Sequence, residues 1–164
     1  MKVLGIDPGL HHTGYGVLDY DGTNIRLCEA GFIKTNEKAA LPQRLIELST
    51  ELDAVLTQFT PDIVAIEEIY SHVTHPRTAI IMAHARGVIL HRVAAKNIEV
   101  VSYASTRIKK SLTGNGHATK LQVQKHIASS LSLPKMPEPH DVADALAVAV
   151  CHCHAIQSKG LVAA

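Results

Sequence analysis

Two rhythms of apolar and polar positions run along the chain: short continuous or alternating apolar runs, and stripes repeating about every 3.6 residues. Val3 to Ile6 is an apolar run of strand length that ends in a single carboxylate, Asp7. Pro8-Gly9 follows at once and bends the chain, because Pro presets φ and Gly accepts positive φ. Thr13 to Tyr20 is rich in β-formers, so the two runs predict an antiparallel hairpin joined by Leu10 to His12. Ile25 to Thr35 predicts a third strand. Leu41-Pro42 opens a helix to Phe59, with Leu45, Leu48, Leu52 and Leu56 on one stripe and Pro61 beyond its end. Asp62 to Tyr70 predicts a strand whose core, Ile63-Val64-Ala65-Ile66, is apolar on both faces, as in a parallel sheet. It leads into Glu67-Glu68 and a loop, His72 to Pro76. A long helix from Thr78 to Lys96 carries Ala79, Ala83 and Gly87 four apart, which lets another element approach closely. Glu99 to Tyr103 predicts a strand, two helices flank Gly114-Asn115-Gly116, and a last helix runs from His140 to Ala155. The order β-β-β-α-β-α-β-α-α-α predicts an α/β fold: a mixed five-stranded sheet with helices on both faces. One domain is expected over 1–156, with a flexible C-terminal tail over 157–164.

Composition changes this picture little. At 164 residues, 46% hydrophobic and 19% charged, the chain suffices for one globular core and has no apolar run of membrane-spanning length. No membrane association is expected, and the start does not read as a signal peptide. Three cysteines, an odd number, point to reduced thiols and a cytoplasmic setting. The formal net charge of +1 does not announce a nucleic-acid binder. Residues 106 to 127, however, carry Arg107, Lys109, Lys110, His117, Lys120, Lys125 and His126 without one acid. Such a segment is either a solvated face or a phosphate-binding one.

The acids carry more information. Asp7, the pair Glu67-Glu68, and Asp141 with Asp144 all stand at the ends of hydrophobic elements. Successive strand residues point to opposite faces, so only one of Glu67 and Glu68 shares a side with Asp7, and the strand alone leaves that choice open. Asp141 and Asp144 are neighbours on one helix face. Singly, each has an ordinary reading as a turn former, a strand end or a helix first-turn acid. Asp144 resists it, since it lies a turn inside an Ala- and Val-rich helix. Two carboxylates ~4 Å apart repel by about 4 kcal/mol at an effective dielectric of 20. Four converging acids therefore call for a cation, and all-oxygen ligands favour a hard divalent ion such as Mg²⁺ or Mn²⁺. Two such ions can clamp the attacking water and the leaving oxygen of a phosphodiester.

Ile6-Asp7-Pro8-Gly9, Thr13-Gly14-Tyr15-Gly16, Ala65-Ile66-Glu67, Ala85-Arg86-Gly87 and the run from Asp141 to Ala147 closely resemble, in order and spacing, the RuvC family of bacterial Holliday-junction resolvases. The resemblance covers roughly residues 2 to 155. It implies a ribonuclease H-like fold, a homodimer, two Mg²⁺ per active site with Mn²⁺ able to substitute, and symmetric nicking of four-way junction DNA in recombination and repair. It implies Asp7, Glu67, Asp141 and Asp144 as the catalytic, metal-holding acids, choosing Glu67 over Glu68. Glu68 departs from the Gln of some relatives, so an auxiliary role stays open for it. It also implies the branch-migration proteins RuvA and RuvB as partners. Lys109 and Lys120 match family lysines near the scissile phosphate, where they hold the phosphate or offset developing charge. Tyr70 matches an aromatic that wedges into the junction. Arg77, Arg107, Lys110 and Lys125 are candidates for DNA backbone contacts, and the Thr78 to Lys96 helix is the candidate dimer interface.

Four other readings stand beside this one. Cys151-His152-Cys153-His154 cannot close a zinc tetrahedron from adjacent helical positions, which point ~100° apart. His11-His12 and His140 are open to metal readings, with a helix-start role for His140. A kinase-like phosphotransferase also starts on a strand ending in Asp-x-Gly, but needs a second Gly-rich loop and a longer chain. A junction-binding module without catalysis would not be expected to keep an acid at every matched position.

Overall fold

A computed structural model of the chain describes residues 1–69 and 76–162, with side chains for all of these except 76 and 159–162. Five strands form one mixed sheet: β1 (Lys2–Asp7), β2 (His12–Tyr20), β3 (Ile25–Lys34), β4 (Ile63–Glu67) and β5 (Glu99–Tyr103). Their order across the sheet is β3-β2-β1-β4-β5. The first three pair antiparallel, as short connections allow, whereas β4 and β5 run parallel to β1. Parallel neighbours need crossovers, and these are the helices α1 (Leu41–Phe59) and α2 (Pro76–Ala95). Three more helices complete the ribonuclease H-like architecture: α3 (Ser105–Thr113), α4 (Lys120–Ser130) and α5 (His140–Val162).

The sheet separates two cores. On one side Leu4, Ile6, Val64 and Ile66 pack with Leu48, Leu52 and Leu56 of α1 and Ala85, Ile89 and Val93 of α2. On the other, Val3, Ile63 and Ala65 pack with Ile108, Val123, Ile127, Val142 and Leu146 from α3, α4 and α5. Alternation along β1 therefore sends even-numbered side chains towards α1 and α2, and odd-numbered ones towards α5. The continuous apolar runs in β1 and β4 follow from this, since both faces of these strands are covered.

Helix α5 lies unusually close to the sheet because β1 and β2 present glycines to it. A Cβ on Gly5 would collide with the Ala145 carbonyl and stand 2.8 Å from the Ala149 Cβ. One on Gly14 would collide with the Asp141 carbonyl and stand 3.0 Å from the Val142 nitrogen. Gly5 and Gly14 thus set helix backbone against strand backbone, and the first turn of α5 rests beside the end of β1.

Several boundaries differ from expectation. Helix α5 continues to Val162, past the end expected near Ala155. No proline follows, and the single Gly160 costs only about 1 kcal/mol relative to Ala, too little to stop a long helix. Strand β4 ends at Glu67, shorter than the expected Asp62 to Tyr70. Tyr70 and the loop positions 71–75 lie outside the described residues. Among the described residues no helix is long and apolar enough to cross a membrane.

Candidate active site

Strand register places the first two acids. Val3 to Ile6 of β1 pair in register with Ile63 to Ile66 of β4, so the next residues, Asp7 and Glu67, end adjacent parallel strands. Such neighbours lie about 4.8 Å apart. Both occupy odd positions and face α5, whereas Glu68 follows on the opposite parity and is exposed. Asp7 is also paired with Gly14 of β2, the glycine on which the Asp141 carbonyl rests. The glycine contact thereby brings the first turn of α5 over the ends of β1 and β2. Asp7, Glu67, Asp141 and Asp144 all line one cleft of about 990 Å³, together with Lys109 and Lys120.

The electrostatics show how closely these acids feel one another. Burial, then Asp144, Glu67 and Asp141 in that order, push the Asp7 carboxyl from 3.8 up to about 8. Among the described residues no hydrogen bond reaches that carboxylate. Burial also raises Glu67, with Asp144 adding to the effect, while the Ser105 hydroxyl, Lys120 and Lys109 offset part of it. Lys120 Nζ stands 3.5 Å from Asp144 Oδ2, and His12 Nδ1 3.8 Å from Asp141 Oδ2. Among the described residues no arginine pairs with these acids. Arg44 lines the cleft but is turned to the Thr35 hydroxyl and the Leu10 carbonyl.

A hard divalent ion fits this donor set. The donors are carboxylate oxygens, the least exposed of them lacks any proton donor, and its proton affinity is that of a negative site short of positive charge. Among the described residues no three His, Cys, Asp or Glu side chains are gathered tightly enough to share one ion as they stand.

Local structure fixes the two lysines. Gly114 ends α3 in a left-handed conformation at φ 75°, and Lys109, in the preceding turn, is half-buried at the cleft. Lys120 is the first residue of α4, directly after a capping box in which Thr119 and Gln122 bond reciprocally. Lys110, Lys125, Arg77 and Arg107 are exposed, and the Arg107 guanidinium lies 4.9 Å from the centre of the Tyr103 ring. His140 begins α5 and its Nδ1 accepts from the buried Gln124 amide, tying α4 to α5. Cys151 and Cys153 are buried, and burial holds both thiols protonated, Cys153 up to about 12.

Three supports escaped sequence reasoning. Arg86 Nε donates to the Glu67 carbonyl at 3.4 Å and its Nη2 to Ser102 Oγ at 2.8 Å, bracing the end of β4. Ser105 stands beside Glu67. Arg44 Nη2 donates to the Leu10 carbonyl at 2.9 Å, anchoring the turn after Asp7. Arg86 lies within one of the matched motifs, and that was its only signal; the contacts of all three depend on packing between distant segments.

Comparison with known proteins gives the family. Residues 3–152 match the family model described as crossover junction endodeoxyribonuclease RuvC. The chain is 44% identical over 154 residues to the crossover junction endodeoxyribonuclease RuvC of Alkaliphilus oremlandii, covering 94% of this chain and 93% of that one. It is 46% identical over 149 residues to the protein so named from Rhodopirellula baltica, covering 91% and 84%. The structure of Thermus thermophilus RuvC in complex with a Holliday junction substrate superposes with a TM-score of 0.90 at 31% identity, covering 97% and 96%. The yeast mitochondrial Holliday junction resolvase shares the fold, at a TM-score of 0.67 and 16% identity. With its sheet order, its acid-lined cleft and near full-length similarity, this chain belongs to the RuvC family of crossover junction endodeoxyribonucleases.

Proposed function

We propose that this chain resolves Holliday junctions by cutting two opposed strands of four-way junction DNA, using Asp7, Glu67, Asp141 and Asp144 to hold two Mg²⁺ ions, with Mn²⁺ able to replace them. The observation that carries this is geometric: Asp7, Glu67, Asp141 and Asp144 line one cleft, and partial burial and the other three acids raise the Asp7 carboxyl. When bound, such ions supply Lewis-acid polarisation of water and phosphate. The protein's own groups do the rest. Asp7 and Glu67 project side by side from the sheet, and Asp141 and Asp144 close the hollow from α5. Lys109 and Lys120 bind the phosphate and offset its developing charge. Arg77, Arg107, Lys110 and Lys125 hold flanking backbone, and Tyr70 stacks on an unpaired base at the crossover.

One chain supplies one acid cluster, so paired cuts need two chains related by a twofold axis. The outward side of α2 suits that contact: Ala83 and Gly87 are small and exposed there, and Ile80 is 58% exposed. RuvA and RuvB would deliver the branched substrate, in a cytoplasmic recombination and repair setting. Residues 1–156 form the nuclease unit in this reading. The test is a mobile four-way junction incubated with Mg²⁺. Symmetric nicks leaving 5′-phosphate and 3′-hydroxyl ends are expected, and Asp7→Asn should abolish them. Full cleavage by Asp7→Asn would overturn the assignment.

A further inference from the structure

Beyond the acids, the sheet carries an exposed aromatic ledge. Asp7 is paired with Gly14 of β2, and Gly14 with Phe32 of β3, so the three positions form one row facing α5. The next row outward pairs His12 with Lys34, past the end of β1. Helix α5 starts above Gly14 and meets the overhang at His12, 3.8 Å from Asp141, leaving Phe32 and Lys34 exposed. Phe32 is 42% exposed, an uncommon state for a ring on a sheet face that is elsewhere packed. The His12 ring meets it edge-on with centroids 4.9 Å apart, and His11 stacks on His12 at 4.1 Å and 27°. Glu37 Oε1 holds His11 Nδ1 at 2.6 Å, which fixes the outer ring of the stack. The ledge is continuous with the acid cleft, since His11 and His12 line both. The ledge meets the acids at Asp141 through His12, whereas Lys120 reaches Asp144 and acts with Lys109 on Glu67; Lys34, paired with His12, gives the ledge a positive charge at its far edge.

The geometry points to a nucleobase site: Phe32, backed by the His11–His12 stack, receives one base of the junction strand next to the scissile phosphate, and Lys34 takes the phosphate beyond it. The inference rests on the junction-cutting reading above. A strand whose phosphate sits at the acids can leave the cleft along its His11–His12 wall, and that wall leads to this ring cluster. Bases stack on exposed aromatic faces whatever their sequence, and a neighbouring cation suits the backbone. Stacking there would set which nucleotide is presented to the acids, so the ledge is a positioning element and not part of the chemistry.

The test uses the full chain and a fixed four-way junction carrying 2-aminopurine at single positions within about three nucleotides of the cut bond, with Ca²⁺ replacing Mg²⁺ to hold the DNA uncut. Binding by the wild-type chain should quench the probe at one position. Phe32→Leu keeps apolar bulk without a stacking face; it should lose that quench and weaken junction binding about tenfold, while its melting temperature stays unchanged. Phe32→Tyr should restore both. In Mg²⁺, Phe32→Leu should raise KM more than it lowers kcat. Retained quenching in Phe32→Leu overturns the inference while leaving the nuclease reading intact. Retained quenching with a changed oligomeric state assigns the ledge to a protein contact and also overturns it. Absence of any junction cutting by the wild-type chain in Mg²⁺ overturns both readings.

Discussion

Asp7→Asn should stabilise the metal-free protein, increasingly so as the pH rises. The Asp7 carboxyl is raised from 3.8 to about 8, first by burial and then by its acidic neighbours. In the unfolded chain the same group loses its proton near pH 4. Between these two values the folded state binds more protons, so stability falls as pH rises through that window, and the loss is complete above about pH 8. Four units at 1.36 kcal/mol each set a ceiling of about 6 kcal/mol. Water entry and outward rotation of the neighbouring acids relieve part of it, leaving about 2–3 kcal/mol. Asparagine cannot ionise and escapes the penalty. Urea denaturation in EDTA, from about pH 5.5 to about pH 8.5, should show the stability difference between variant and wild type growing by about 1–3 kcal/mol. Magnesium should then raise wild-type stability at the higher pH and leave Asp7→Asn nearly unchanged, because binding only the folded state stabilises it. Parallel pH curves for the two proteins in EDTA would refute the claim that Asp7 is a buried carboxylate awaiting a cation.

Further expectations follow from neighbouring features. Lys120 is 76% exposed and its contact with Asp144 is long, so Lys120→Ala should leave the melting temperature almost unmoved, yet lower single-turnover cleavage by about 10²–10³. Gly14→Ala drives a methyl into the Asp141 carbonyl; denaturation should show a loss of about 1–3 kcal/mol or more, with cleavage falling further than stability explains. Gly87→Ala meets no atom within 4 Å, so the fold should be retained, while sedimentation at low concentration should show weaker self-association if α2 forms the proposed twofold contact.

Much of the fold is legible in the sequence because each strand announces itself by a run that only a sheet can use. Ile63 to Ile66 is apolar at every position, and both faces of β4 are indeed covered. The acid-bearing stretches are legible too, since a carboxylate ending an apolar run needs a partner from elsewhere. Whether Glu67 or Glu68 faces Asp7 is not legible in the strand itself; parity is set by pairing Ile63 with Val3, a register between residues far apart in sequence. Gly5 and Gly14 read only as weak points in strands, because their purpose lies in the approach of a helix more than a hundred residues later. The length of α5 is not legible, because polar residues after Ile156 suggest fraying without supplying a stop signal.

The two-sided sheet makes tolerance to mutation lopsided. Even-numbered side chains of β1 and β4 join the layer built by α1 and α2, and odd-numbered ones join the acid side. Leu52 and Ile89 are fully buried in that layer, so volume changes there reach the carboxylates through strand backbone and through Arg44 and Arg86, which α1 and α2 send to the turn after Asp7 and to the end of β4. Stabilising substitutions gathered in that layer should raise the melting point without altering turnover, so thermostable versions of this nuclease are best sought beneath the sheet, away from its acid-lined roof.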